Sequence, residues 1–320
     1  MKTSGLQFVL VTPARNEEDF IELTIQSVVR QTVRPLKWAI VSDGSTDRTD
    51  EIVKRHLAQH EWIEFVRMPE REERHFAGKV DCFNAGFARV KHLNYDIVGS
   101  LDADISFGED YFEFLLQKFA ADQKLGVAGT PFSEGGATYD YRFSSTEHVS
   151  GACQLFRRQC FEAVGGYVPA KDGGIDVIAV LTARSKGWHT QTFIEKASVH
   201  HRPMGSAKDK NKLAAEFKLG VRQYRLGFHP LWQLFRSVYQ MTRRPYIAGG
   251  SALLLGYAWA MVRRVEWVIA AELVELQRRD QMRRLRGFLR LGPRTTGERV
   301  KEAATIALET PPAKRPFQAL

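Results

Sequence analysis

The sequence predicts an α/β protein with a mostly parallel central sheet, helices on both faces and a helical extension behind it. Short apolar segments alternate with helical apolar stripes over roughly the first 200 residues, which is the pattern of strand–helix units with parallel strands. Three of the apolar segments end in polar side chains. After about residue 205 the strand-like segments stop and basic, amphipathic segments follow. These three observations define the fold class.

The elements follow one another in a regular order. Helices are predicted from apolar residues at helical spacing. In the first helix these residues, Phe20, Leu23, Ile25 and Val28, form a rough helical stripe. Strands are predicted at Phe8–Thr12, Trp38–Val41, Ile63–Val66, Ile97–Leu101 and Thr192–Val199. Helices are predicted at Asp19–Gln31, Arg48–His60, Lys79–Val90, Tyr111–Ala121, Lys208–Gly220 and Tyr224–Tyr239.

One later segment bears on membranes. Tyr246–Val262 has 17 residues without a charge, and arginine pairs flank both of its ends. A spanning helix needs about 20 apolar residues, so basic flanks on both sides favour a helix that lies in the membrane interface. The alternative is a helix buried against the catalytic domain or another subunit. We predict a catalytic domain at 1–205, a helical extension at 206–277 and a basic, partly disordered tail at 278–320.

Composition narrows the function classes. The 320 residues are 44% hydrophobic and carry a formal charge of +9, which excludes disordered and fibrous classes and favours phosphate-bearing partners or anionic membrane. Part of this excess belongs to the tail, which has eight arginines between residues 278 and 299. Three cysteines without a C-x-x-C pair predict no disulfide framework and no zinc knuckle. The first apolar run is too short for a signal peptide.

The polar strand ends predict one cleft. The segments Arg15-Asn-Glu17, Asp43-Gly-Ser45 and Asp102-Ala-Asp104 each follow an apolar run, and ligands bind at the carboxyl ends of parallel strands. Alternate positions on an extended segment point the same way, unless the chain turns. The two carboxylates at 102 and 104 therefore predict a divalent cation, Mn²⁺ or Mg²⁺, shared with phosphate oxygens.

Five ordered motifs together resemble one family, the inverting glycosyltransferases of family 2, which have the GT-A fold. They cover roughly residues 6–205. The motifs are Pro13-Ala-Arg-Asn-Glu-Glu18, Ser42-Asp-Gly-Ser-Thr-Asp-Arg-Thr49, Gly78-Lys79 with Asn84-Ala-Gly86, Asp102-Ala-Asp104, and Gly151 through Gly165-Gly166-Tyr167. The family pattern has Asp where this chain has Ser42. The resemblance implies a GT-A nucleotide-diphospho-sugar transferase fold.

The resemblance also implies roles for individual residues. Asp104 would ligate the metal, with Asp102 on metal or ribose, and His200 is preferred over His201 as a further ligand. The residues expected to bind the nucleotide sugar are Pro13, Ala14, Arg15, Glu17, Asp43 on the base, Lys79, Asp102, Ala103 and Asp104.

The catalytic base is expected at Asp176, which lies at the family's expected spacing before Gly187-Trp188. The Glu that precedes this Asp in the family is absent, and Asp172 is the rival. A carboxylate in reach of the acceptor hydroxyl takes its proton and contributes roughly 10²–10⁴-fold in rate.

The sequence therefore predicts a metal-dependent inverting transferase that acts in cell-surface polysaccharide or glycolipid synthesis. The expected partners are a nucleotide-sugar donor, preferably a UDP-sugar, a saccharide or lipid-linked acceptor, and anionic lipid at the cytoplasmic face of the membrane; nucleic acid is not expected. Gln233-Leu-Phe-Arg236 is followed by Ser237 instead of the Trp of processive synthases, which favours transfer of one or few sugars. The alternatives are a catalytically impaired membrane scaffold and, less favoured for want of a Gly-rich loop after the first strand, a sugar-nucleotide pyrophosphorylase.

Overall fold

The computed structural model describes residues 5–70, 76–134, 137–138, 145–170, 173–202 and 211–289. Eleven strands and ten helices lie in these ranges. The strands are β1 (Phe8–Ala14), β2 (Lys37–Asp43), β3 (Ile63–Met68), β4 (Ile97–Leu101), β5 (Ile105–Ser106), β6 (Leu125–Gly129), β7 (Phe132–Glu134), β8 (Ala137–Thr138), β9 (Cys153–Arg157), β10 (His189–Thr192) and β11 (Ser198–His200). The helices are α1 (Ile21–Val29), α2 (Thr49–Leu57), α3 (Phe76–Val90), α4 (Tyr111–Ala121), α5 (Arg158–Val164), α6 (Ile175–Ser185), α7 (Lys212–Arg225), α8 (Pro230–Met241), α9 (Ile247–Val262) and α10 (Ala271–Leu289).

The central sheet has seven strands in the order β10-β6-β9-β4-β1-β2-β3. Strands β4, β1, β2 and β3 are parallel neighbours, and so are β10 and β6. Strand β9 runs antiparallel between β4 and β6. A second sheet of four short strands, β5-β11-β7-β8, lies beside the carboxyl end of β4. The predicted mostly parallel α/β sheet is confirmed.

Both faces of the sheet are covered, which explains why its strands are almost continuously apolar. Phe8 and Leu10 belong to one core cluster, together with residues of α1 and α4. Val9 and Val11 belong to the other, together with residues of α3, α5 and α6. The alternation along β1 thus divides the core into two layers.

The predicted strand Thr192–Val199 is wrong. The chain leaves the seven-stranded sheet after Thr192 and enters the small sheet at Ser198, with a turn between them. Two ion pairs hold the turn at the surface, Lys118 with Glu195 at 2.8 Å and Lys196 with Asp110 at 2.7 Å. The two charged residues of the turn interrupt an apolar pattern that otherwise suggests one strand.

The boundaries of the first extension helices also differ from prediction. The predicted helix Tyr224–Tyr239 is wrong, because α7 ends at Arg225 and a separate helix, α8, begins at Pro230. Gly227 has a φ of +75°, a left-handed value that ends α7, and Pro230 occupies the first turn of α8. The predicted helix start at 208 lies outside the described residues.

Helix α9 packs against α7 and α8 through glycines. A Cβ at Gly220 of α7 would lie 2.1 Å from the backbone oxygen of Leu253, and one at Gly256 of α9 would lie 2.0 Å from that of Phe217. The two backbones are therefore in direct contact. The other face of α9 is exposed in this chain, so the helix is not fully buried against the catalytic domain. Within the described residues, no helix has the length and hydropathy to cross a membrane.

Helix α10 continues to Leu289 and so crosses the predicted domain boundary at 278. Its Gln277 donates to the backbone oxygen of Leu226 at 2.6 Å, and Arg278 donates to that of Gly227 at 3.0 Å. The first part of the predicted tail is thus a packed helix. Residues 290–320, the rest of the predicted tail, lie outside the described residues.

Candidate active site

The carboxyl ends of β1 and β2 lie side by side, as predicted. Arg15, just after β1, lies 3.5 Å from the Oδ2 atom of Asp43 at the end of β2. Asp43 and Glu17 are both buried. The two strands are parallel neighbours in register, Ala14 with Ser42. A guanidinium and two acidic side chains therefore share one edge of the sheet.

Asn16 connects the loop after β1 to the loop after β2 through hydrogen bonds. Its φ is +54°, a left-handed conformation that Asn tolerates better than most residues. Its backbone N–H donates to Ser45 Oγ at 3.2 Å, and its side-chain oxygen accepts from the Thr46 N–H at 2.9 Å. The next N–H, of Glu17, donates to Thr49 Oγ1 at 2.8 Å. The first two sequence motifs are therefore one hydrogen-bonded unit.

The backbone of the 102–104 segment is held at each residue by a different part of the chain. The Asp102 N–H donates to the Ala152 oxygen at 2.9 Å, the Ala103 oxygen accepts from Thr24 Oγ1 at 2.8 Å, and the Asp104 oxygen accepts from the His201 N–H at 2.9 Å. The chain turns between β4 and β5 here, so the segment is not extended. Its position is nevertheless fixed before any ligand binds.

The two acidic side chains of this turn have different partners. Asp102 accepts a hydrogen bond from the Lys79 ammonium of α3. Asp104 Oδ2 lies 3.4 Å from His200 Nε2 and 4.0 Å from Arg202 Nε. Burial and the neighbouring Asp104 carboxylate raise the pKa of Asp102, while Lys79 opposes the shift. The site thus holds its acidic pair close together with the help of three basic side chains.

The two adjacent histidines face different surroundings. His200 lies between two carboxylates, since its Nδ1 atom is 3.4 Å from Glu134 Oε2. His201 instead bonds Ser106 Oγ at 2.8 Å, and its ring stacks on Phe20 with the ring centroids 6.1 Å apart. The structure therefore directs His200, the preferred residue, to the acidic pair.

Asp176 lies in the first turn of α6 and interacts electrostatically with Lys79. Its Oδ2 atom accepts the Gly151 N–H at 3.2 Å. A Cβ at Gly151 would lie 3.2 Å from the Asp176 Cβ, so this approach requires a glycine or a shift of the carboxylate. Asp172, the rival base, lies outside the described residues.

Lys79 connects the candidate base to the acidic pair. Burial lowers the pKa of its ammonium, but the carboxylates of Asp102, Asp176 and Asp104 outweigh burial and raise it. Lys79 is therefore a fixed cation between the three acids. Together they offer a cation for an anionic diphosphate next to a carboxylate that can act as a general base.

The ligand chemistry fits a divalent cation. Asp102 and Asp104 offer oxygen and His200 offers nitrogen, a set that suits Mn²⁺. Glu134 Oε2 and His200 Nδ1 are buried and lie 3.4 Å apart without a hydrogen bond, so this polar pair is only weakly satisfied. Among the described residues, no group of three acidic, His or Cys side chains is arranged to hold a metal as it stands. Binding would require the carboxylates to move from their basic partners.

Sequence reasoning missed several residues of the candidate site. Arg202, next to the histidine pair, binds Glu17 Oε2 at 2.6 Å. Glu134 comes from β7, which no motif indicated. His148 lies near the candidate base, since desolvation by the surrounding protein lowers the pKa of its imidazole while Asp176 opposes the shift. Only Arg202 had a sequence signal, because it extends the predicted motif at 200–201.

The fold and the site define a class, the nucleotide-diphospho-sugar glycosyltransferases with the GT-A fold. The family model for glycosyl transferase family 2 matches residues 9–171, just over half of the chain. The chain belongs to this family, and it is a glycosyltransferase.

Two polysaccharide synthases with similar sequences support this class. The chain is 27% identical over 235 residues to a poly-beta-1,6-N-acetyl-D-glucosamine synthase of Staphylococcus aureus, covering 72% of this chain and 50% of the synthase. It is 23% identical to the Staphylococcus epidermidis synthase of the same name, covering 82% of this chain and 58% of that one. The chain thus spans little more than half the length of these relatives.

Two solved structures share the fold. The Pyrobaculum calidifontis mannosyltransferase PcManGT, in complex with GDP-Man and Mn²⁺, has a TM-score of 0.52 and 16% identity, covering 96% of this chain and 89% of that one. Staphylococcus aureus TarS residues 1–349, in complex with UDP-GlcNAc, has a TM-score of 0.53 and 11% identity, covering 95% and 91%. The predicted GT-A fold is confirmed.

Proposed function

We propose that this glycosyltransferase transfers a sugar from a nucleotide-diphosphate sugar to an acceptor hydroxyl in the synthesis of a cell-surface polysaccharide or glycolipid, with inversion at the anomeric carbon. The observation that carries the proposal is the set of acids around Lys79, which pairs with Asp102 and interacts electrostatically with Asp176 and Asp104. The family match and the polysaccharide synthases among the relatives support it. A UDP-sugar is the favoured donor, because Asp43 can accept a hydrogen bond from a nucleobase imide.

The chain's own residues divide the reaction between them. Asp176 takes the proton of the acceptor hydroxyl as its oxygen bonds to the anomeric carbon. The bond from that carbon to the diphosphate breaks, and the nucleoside diphosphate leaves with the electron pair. Lys79 lies where the leaving group gains charge and stabilises it. Asp43 and Arg15 hold the nucleoside at the ends of β1 and β2.

Metal dependence is part of the proposal. Asp102, Asp104 and His200 would hold Mn²⁺ or Mg²⁺, which neutralises charge on the diphosphate when bound. PcManGT in its complex with GDP-Man and Mn²⁺ supports this choice of cation.

Donor hydrolysis tests the activity. Purified protein is incubated with UDP-, GDP- and dTDP-sugars, with and without Mn²⁺, and nucleoside diphosphate release is followed. We expect release from one donor, lost in chelator and in Asp104→Asn. The matched control is Asp110→Asn, a surface carboxylate whose partner is Lys196, and it should keep full activity. If no donor is turned over and calorimetry detects no nucleotide binding, the catalytically impaired scaffold remains the better description.

We also propose that the extension lies on the cytoplasmic face of an anionic membrane. Helix α8 exposes Leu231, Leu234 and Val238 along one face, and these lie at helical spacing. Helix α9 exposes a second set at Leu255, Trp259 and Val262. Exposed arginine pairs at 243–244 and 263–264 flank α9, and cationic side chains near such a surface contribute about 1 kcal/mol each.

Vesicle flotation tests the membrane proposal. We expect the protein to float with phosphatidylglycerol-containing vesicles and to float less with pure phosphatidylcholine. The double variant Val238→Glu, Leu255→Glu should remain in the dense fraction. Leu36→Glu, at an exposed apolar residue of the catalytic domain, serves as control and should float as the parent does. Equal recovery of all three proteins in the dense fraction would refute the proposal.

A further inference from the structure

A buried tyrosine of the fifth sequence motif is joined by hydrogen bonds to the segment that contacts the candidate base. The Tyr167 hydroxyl donates to Gln154 Oε1 at 2.8 Å. Gln154 Nε2 in turn donates to the backbone oxygen of Val149 at 2.7 Å. We call these two side chains the Tyr–Gln pair. Two residues after Val149, the Gly151 N–H donates to Asp176 Oδ2. The pair therefore holds the backbone next to the group that contacts the carboxylate.

The chemistry of the partners fixes the orientation of the Gln154 amide. A backbone carbonyl only accepts hydrogen bonds, so the amide nitrogen must face Val149 and the amide oxygen must face Tyr167. Both side chains of the pair are buried. An unpaired polar group in the interior is costly, so the removal of either hydrogen bond should shift the amide.

The tyrosine hydroxyl keeps the proton that it donates. Burial raises the pKa of Tyr167 well above its usual range. The hydroxyl also interacts with the side chain of Ser100, which pairs with Gln154 across the β4–β9 ladder. The pair is thus built into the centre of the sheet.

The ring of Tyr167 is held against the helix that carries Lys79. It meets the ring of Phe83 edge-on, with the centroids 4.9 Å apart and the planes at 86°. Phe83 lies one turn after Lys79 on α3. Gly165 and Gly166, with φ values of +83° and +81°, end α5 and turn the chain before the tyrosine. Two independent elements therefore fix the direction of the hydroxyl.

The segment before β9 is anchored at its start and at its end. At its start, the Thr192 N–H donates to the Thr146 oxygen at 2.6 Å, and Thr192 Oγ1 donates to the His148 oxygen at 2.5 Å. At its end, the Ala152 oxygen accepts the Asp102 N–H at 2.9 Å. Gln154 holds the backbone between these two anchors. The position of residues 149–151 therefore depends on the Tyr–Gln pair.

We propose that Gln154, oriented by Tyr167, is a positioning residue for the transfer reaction. It holds the Gly151 N–H in place and thereby sets the orientation of the Asp176 carboxylate. The inference rests on the proposed function, in which Asp176 takes the proton of the acceptor hydroxyl. Rates depend steeply on the geometry of the reacting groups, so a small shift of this segment should be visible in kcat.

Three variants of the full-length protein test the proposal. Tyr167→Phe removes the hydroxyl and keeps the ring, and Gln154→Leu removes both hydrogen bonds of the amide. The matched control is Tyr257→Phe. Tyr257 is also buried, and its hydroxyl donates to the Phe228 oxygen at 2.6 Å within the extension. The control therefore loses the same chemical group and one hydrogen bond at a place away from Asp176.

Hydrogen–deuterium exchange measures the position of the segment without relying on activity. We expect the amides of residues 149–151 to exchange roughly five- to tenfold faster in Tyr167→Phe and in Gln154→Leu than in the parent. Exchange in β1 and β2 should not change in either variant. The control should match the parent over residues 149–151. Parent-like exchange in both variants would overturn the proposal.

Kinetics then separates positioning from a general loss of structure. The kcat of nucleoside diphosphate release, with water in place of the acceptor, is measured with the donor that the panel selects. Calorimetry measures the affinity for the nucleoside monophosphate of that donor. We expect kcat to fall about tenfold in Tyr167→Phe and at least as far in Gln154→Leu, with unchanged monophosphate affinity. The control should keep the kcat of the parent. An unchanged kcat in Tyr167→Phe, or an equal loss of kcat and affinity, would refute the positioning role.

Failure of the proposed function gives a different result. In that case the parent itself releases no nucleoside diphosphate from any donor, whatever the exchange experiment shows. The positioning role would then fall together with the function on which it rests. An active parent whose variants are equally active would refute the positioning role alone.

Discussion

The closest backbone approach in the extension gives a sharp stability test. Gly256→Ala places a Cβ 2.0 Å from the backbone oxygen of Phe217. Carbon–oxygen contacts of this kind are normally about 3.3 Å or longer, so α7 and α9 must separate by about 1 Å. The atom that is struck belongs to a helix backbone and has no rotamer by which to move away. The strain therefore falls on the whole helix pair.

The expected cost is about 3 kcal/mol, the upper part of the range for overpacked cores. Gly287→Ala is the matched control, because it lies in α10 and a Cβ there meets nothing within 4 Å. In an exposed helix the same substitution should stabilise by about 0.5–1 kcal/mol. The Gly→Ala substitution is therefore expected to lower the free energy of unfolding at position 256 and to raise it at position 287.

Urea unfolding followed by circular dichroism and tryptophan fluorescence measures both variants. We expect a lower midpoint for Gly256→Ala and an unchanged or higher one for Gly287→Ala. Equal midpoints for the two variants would refute the close packing of α7 on α9. Gly220→Ala, whose Cβ would lie 2.1 Å from Leu253 O, repeats the test from the other helix.

Three further predictions concern the catalytic domain. Gly151→Ala should displace the Asp176 carboxylate by a few tenths of an ångström and lower kcat about tenfold; steady-state kinetics measures this, and an unchanged kcat would count against Asp176 as base. Burial raises the pKa of Cys153 to about 12, so its thiol should not react with a disulfide reagent at pH 8 until guanidinium unfolds the protein, whereas prompt reaction of the native protein would contradict its burial. Gly44→Ala should weaken nucleotide binding about tenfold. The φ of Gly44 is +60° and a Cβ there would lie 2.5 Å from a backbone atom of the neighbouring loop, so the substitution should displace Asp43. Calorimetry would measure the loss, and unchanged affinity would argue against Asp43 as the base contact.

The first half of the fold could be predicted from local sequence. Strands β1, β2 and β4 are mainly apolar runs that end in polar loops, and Tyr111–Ala121 matches α4 residue for residue. Such elements follow from burial on both faces of a parallel sheet. The polar strand ends of the candidate site could be placed for the same reason.

The helical extension and the second sheet could not be predicted in the same way. Gly227 ends α7 within a continuous amphipathic pattern, and no local signal distinguishes its left-handed conformation from a helical one. Likewise, the pairing of His200 with Asp104 depends on the second sheet, to which β11 belongs. The apolar pattern predicted β10 and β11 as parts of one strand.

The reversed direction of β9 ties the two halves of the candidate site to one short segment. Because β9 is antiparallel to β4, its first residue, Cys153, pairs with Leu101, the last residue of β4. The residues just before β9 therefore reach the same edge of the sheet, where the Ala152 oxygen accepts the Asp102 N–H and the Gly151 N–H donates to Asp176 Oδ2. We therefore expect any change that shifts this segment to displace both acids together, so that their spacing is preserved while their position relative to β1 and β2 is not.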